Sequence, residues 1–85
     1  MNPFEAPLEP KSLDQEQSSN FFMKLHSYIA LAESESDLNN RFNLARAYLT
    51  GWIHGGGDIA QAKTFKELID ATLTLCNHEL RHRRG

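Results

Sequence analysis

The pentapeptide His78-Glu79-Leu80-Arg81-His82 sets two imidazoles four residues apart with a carboxylate between them. On a helix that spacing puts both rings on one face, where they can share a divalent cation while the carboxylate acts as a base, as in H-E-x-x-H zinc enzymes. Three features of the chain argue against that chemistry. With the helix phased on an apolar stripe centred near Cys76, His78 and His82 project about 160° and about 120° away from the core. A catalytic zinc takes three protein ligands in a walled site, so a third ligand would have to come from His26, His54, a carboxylate or another chain. A chain of 85 residues also has little room for a substrate cleft. The expectation is a non-enzymatic protein without a cofactor. In it His78 and His82 are solvated, with surface chelation of zinc or nickel as the remote alternative.

The other reactive side chains read as structural. Cys76 is the only cysteine, so no internal disulfide can form, and its place on the apolar stripe makes it a packed thiol. Thr72, on the same stripe, can return its hydroxyl to the carbonyl one turn earlier. Gly55-Gly56-Gly57 lacks both the following Lys-Ser/Thr and the preceding strand of a phosphate-cradling loop, and reads as a turn.

Charge gives a second functional alternative. The net charge is -2, which predicts no bulk attraction to nucleic acid or acidic membranes. The distribution is polar, however. Residues 1–40 hold seven carboxylates and two lysines, whereas residues 41–85 hold seven cations and four carboxylates. A regulator that binds nucleic acid through this basic second half, with Arg81, Arg83 and Arg84 as its phosphate contacts, is the rival to a protein-binding module. The cations are dispersed around two long helices, which does not suit a DNA-reading helix. No segment approaches the roughly 20 apolar residues of a membrane span, and the first residues have no secretory pattern, so a cytoplasmic location is expected.

The elements that position these residues follow from proline, glycine and apolar periodicity. Pro3, Pro7 and Pro10 disfavour helix, so residues 1–11 are expected to be a flexible leader and 12–85 a single helical domain. Ser12 and Gln15 fit a capping box for a helix over about 12–33, with Phe21, Phe22, Leu25, Tyr28, Ile29 and Ala32 on one face. Ser36 or Asp37 can cap a second helix over about 37–53, which would bury Leu38, Phe42, Ala45, Leu49, Trp52 and Ile53. The three glycines tolerate positive φ and end it, and Asp58 caps a third helix over about 58–83. That helix carries Ala62, Phe65, Ile69, Thr72, Cys76 and Leu80 inward and closes on Arg81, Arg83 and Arg84, cations that suit a helix C-terminus. Short connections make the fold all-α, an antiparallel up-down-up three-helix bundle whose long third helix overhangs its partners.

Gln61, Leu68, Leu75 and His82 recur every seven residues beside the main apolar arc of the third helix. A domain of this size buries only about 60% of its unfolded surface, so a second copy would stabilise it. The expected role is a small regulator or adaptor acting through protein contacts, as a homodimer or with another protein. Leu68 and Leu75 are its interface, with Tyr48 and Leu44 behind them.

Overall fold

Asp14, not Ser12, opens the first helix. Its carboxylate accepts the Gln17 N–H at 2.8 Å, and the Gln17 side chain accepts the Asp14 N–H at 3.0 Å, completing a capping box two residues later than the Ser12/Gln15 pair. The shift has a cause elsewhere in the fold. Leu13 is buried, and the Gln61 side chain binds both its backbone groups, accepting the N–H at 2.8 Å and donating to the carbonyl at 2.7 Å. A residue whose backbone is committed to a distant amide cannot also join a helical ladder.

The computed structural model describes residues 10–84 and consists of α1 (Gln15–Ala30), α2 (Glu35–His54) and α3 (Ile59–Arg84). Helix α1 stops three residues short of the expected Glu33, because Ala32 turns into the core and its N–H bonds the Ile29 carbonyl at 3.1 Å. The Tyr28 carbonyl is then taken by Arg41 Nη1 at 2.8 Å. The cap of α2 is Ser34 rather than Ser36 or Asp37. Its hydroxyl accepts the Asp37 N–H at 3.1 Å, and the helix begins at Glu35. Asp37, one turn inside, instead accepts from the Glu33 N–H at 3.3 Å and from Arg41 Nε at 3.1 Å.

The glycine turn uses each residue differently. Only Gly56 needs positive φ, at 97°, while Gly55 sits at -82°. Gly57 is required for space, since a Cβ there would lie 2.5 Å from the Trp52 ring. Asp58 caps α3 as expected, accepting the Gln61 N–H at 3.0 Å.

Contacts between helices set direction and register. Arg41 meets Tyr28 and Tyr48 meets Phe21, so α1 and α2 are antiparallel. Lys66 meets Thr50 and Arg81 meets Glu35, so α2 and α3 are antiparallel as well. Leu13 with Gln61 and His26 with Thr72 rise together, making α1 parallel to α3. The bundle is therefore up-down-up.

The core draws on the apolar stripes of all three helices, with Leu25, Ile29, Leu38, Leu49 and Ile69 fully enclosed. Its glycine-turn end is aromatic: Phe21 stacks edge-on to Phe65 at 5.1 Å, and Trp52 lies 6.5 Å from Phe65. At the other end the overhang of α3 is occupied. Leu80 is buried, and Arg81 reaches Glu35 at the start of α2 at 3.7 Å. Of the expected leader, residues 1–9 lie outside the described residues. Pro10 and Lys11 are fastened: the Pro10 carbonyl accepts from Trp52 Nε1 at 2.8 Å and the Lys11 carbonyl from the Asp58 N–H at 2.7 Å. Among the described residues no helix is long and apolar enough to cross a membrane.

Candidate functional site

His78 and His82 occupy the last two turns of α3 and are both exposed, on the side away from buried Leu80. The phase read from the apolar stripe therefore places them correctly. Their Nε2 atoms lie 2.9 Å apart, while the ring centroids are 4.2 Å apart and the planes cross at 73°. The rings thus converge at their Nε2 ends. Without a ligand the contact is an N–H···N hydrogen bond, with one ring protonated on Nε2 and the other on Nδ1. No group of three or more His, Cys, Asp or Glu side chains that could hold a metal occurs among the described residues. Of the other histidines, His54 is exposed at the end of α2 and His26 is engaged elsewhere. His26 Nδ1 meets Thr72 Oγ1 at 3.2 Å. The Thr72 hydroxyl donates to the Leu68 carbonyl at 3.1 Å, the expected return to the preceding turn, so His26 is the donor in that pair.

A cleft of about 360 Å³ opens between α1 and the first half of α3, lined by Ser18, Ser19, Phe22, Ala60, Gln61, Thr64, Phe65 and Leu68. Leu68 stands at its rim, 38% exposed, and Leu75, two turns on, is 62% exposed. The seven-residue series Gln61, Leu68, Leu75 already marks this edge of α3. Of the opposing wall from α1, Phe22 is legible as an aromatic off the densest stripe of its helix, whereas the two serines have no apolar signal.

Leu44 and Tyr48 belong to a different edge. Arg41 and Tyr48 lie on the flank of α2 that meets α1, with Leu44 in the same helical phase, and there Arg41 binds the Tyr28 carbonyl and sits 4.8 Å over the Tyr28 ring. Tyr48 packs 6.0 Å from Phe21, and burial raises its phenol above the usual value. Leu44 is 54% exposed. Helix α1 therefore lies between Leu44 and Tyr48 on one flank and Leu68 and Leu75 on the other, and the four do not converge on a single patch.

The cations of the second half are mostly engaged or scattered. Arg41 binds Asp37 and Tyr28, Lys66 Nζ donates to Thr50 Oγ1 at 3.1 Å, and Arg81 faces Glu35. Arg83 is exposed at the end of α3, and Arg84 is its last residue. Cys76 is half-buried. Burial, and after it the Glu79 carboxylate, push its thiol above the ordinary value, which keeps it protonated and a poor nucleophile.

Comparison of the chain with models of protein families, with curated proteins and with solved structures gave no match.

Proposed function

We propose that this chain is a non-catalytic helical module that acts through protein contacts, and that the α1/α3 flank bearing Phe22, Leu68 and Leu75 packs against a second copy of itself. The observation that carries this reading is the open apolar cleft between α1 and α3, continued along α3 by exposed Leu75. Large apolar side chains left at a groove rim gain about 25 cal/mol for each Å² they remove from water. The molecule measures 44 by 21 by 19 Å, so a whole long side is on the scale of the roughly 800 Å² per partner of a standard interface. Leu44 and Tyr48 lie on the other flank of α1 and are free of this contact in the proposal.

Sedimentation equilibrium across the micromolar range tests it. The expected result is a monomer–dimer equilibrium that shifts to monomer in Leu68→Glu and further in Leu68→Glu/Leu75→Glu, with helical circular dichroism retained. A wild-type chain that stays monomeric at several hundred micromolar, or variants that dimerise as the parent does, would overturn the reading. Capture of a short DNA or RNA duplex with an affinity that falls steeply with salt, and that depends on Arg81 and Arg83, would replace it with the nucleic-acid alternative.

A further inference from the structure

We infer that His78 and His82 form a two-point chelate for a divalent transition metal of tetragonal geometry, copper(II) being its best occupant and nickel(II) its close substitute. The reasoning starts from the distance between the two donor atoms. Metal–imidazole bonds are about 2.0–2.1 Å long, so two nitrogens at adjacent corners of a square, about 90° apart at the metal, stand about 2.9 Å from each other. Two corners of a tetrahedron would stand about 3.3 Å apart by the same bond length. The observed Nε2–Nε2 separation is 2.9 Å, and the rings approach each other through those atoms rather than face to face. The helix sets the two rings on one face, and their rotamers bring both donors to the spacing of a cis pair. Binding requires that the ring protonated on Nε2 exchange that proton through water for one on its own Nδ1, so that both rings stay neutral, and that the two Nε2 lone pairs turn to a common point.

The surroundings select for this chemistry and against others. Glu79, Leu80 and Arg81 separate the two histidines in sequence, and Arg83 follows directly. Exposed arginines in the same turn disfavour ions held mainly by charge, such as calcium or magnesium, which also require oxygen donors. Imidazole is the preferred donor of copper, nickel and zinc, and the cis spacing then favours the square-planar and octahedral ions over tetrahedral zinc. With both rings exposed at the end of α3, the remaining coordination positions face solvent and are filled by water. This is a binding site and not a hydrolytic centre, because no third protein ligand and no wall around the metal are present among the described residues.

The test uses the untagged full chain. Calorimetric titration with nickel chloride should give one ion per chain. His78→Gln and His82→Gln should each lower the affinity at least tenfold, with circular dichroism unchanged, whereas His26→Gln and His54→Gln should leave it within twofold. Moving the second ring by one residue, in His82→Gln/Arg83→His, should not restore binding. Electron spin-echo spectroscopy of the copper-loaded chain should count two equatorial imidazoles. The inference fails if no nickel binds up to millimolar concentration or if either glutamine variant binds as the parent does. It also fails if the shifted pair restores binding, if zinc binds more tightly than nickel, or if copper shows a single imidazole.

Discussion

The two ends of this bundle are held together by different physics. At the glycine-turn end, directed hydrogen bonds tie a segment outside the helices to the helix ends: Trp52 Nε1 to Pro10, the Asp58 N–H to Lys11, and both faces of the Gln61 amide to Leu13. A buried glycine lies against the indole ring beneath them. At the opposite end, the contacts are made by charged or titratable side chains in partial or full contact with water: Arg41 with Asp37, Arg81 with Glu35 and His78 with His82. Shape and directed hydrogen bonds fix the first end, whereas at the second the polar contacts are screened by solvent and buried Leu80 holds the end of α3. The exposed, convergent nitrogens of the inferred chelate lie at the second end, and the satisfied backbone groups at the first.

The largest expected effect comes from removing the centre of the rigid end. Trp52→Ala would empty a site that is 6% exposed, withdraw the donor from the Pro10 carbonyl and remove the surface against which Gly57 packs. A loss of about 3–5 kcal/mol is expected, read as a lower midpoint in urea denaturation. Gly57→Ala attacks the same contact from the other side. Its Cβ would fall 2.5 Å from the aromatic ring carbons, so either the turn or the indole must move, at about 1–3 kcal/mol. Equal stability of Gly57→Ala and the parent would show that the end is not rigid.

These residues also mark the limit of what the sequence discloses. The inward stripes were legible because helical periodicity is local: Leu25, Ile29, Leu38, Leu49 and Ile69 are all buried where their spacing puts them. Direction was legible from the short connections. The first capping box was not, because Ser12/Gln15 and Asp14/Gln17 both satisfy the pattern, and the choice depends on a partner 48 residues away, Gln61 binding Leu13. Other non-local contacts, from Trp52 Nε1 and the Asp58 N–H, likewise hide the anchoring of Pro10 and Lys11, which read as part of a leader. In the candidate site the outward phase of His78 and His82 followed from the stripe. Their convergence at Nε2 depends on rotamers, and spacing alone says nothing of those.

Gln61→Ala isolates the hydrogen bonds from the packing. It removes one acceptor and one donor for the Leu13 backbone while leaving Trp52 and Gly57 in place, so about 1–2 kcal/mol of stability should be lost. Amide exchange sharpens the result. The Leu13 N–H should lose protection, while the Ile29 and Ile69 amides keep theirs. Gly51→Ala, in α2, provides a contrast of opposite sign. No atom lies within 4 Å of a Cβ placed there, and the position is exposed in the last turn of α2. Alanine should therefore raise stability by about 0.5–1 kcal/mol by restricting the unfolded chain.

Arg81→Ala should produce the smallest change, for a reason that bears directly on the contrast between the ends. The Arg81 and Glu35 side chains are 75% and 36% exposed and meet at 3.7 Å, so the pair works in high dielectric and is screened by salt. Its removal should cost no more than about 0.5 kcal/mol at low ionic strength, and less in half-molar sodium chloride. Leu80, buried one residue earlier, holds the end of α3 to the bundle by a force that added salt does not weaken. Helical content at the end of α3 should therefore survive both the substitution and the salt. If Arg81→Ala instead unravels the last turns of α3, the ion pair anchors them, and the charged end is as structurally committed as the aromatic one.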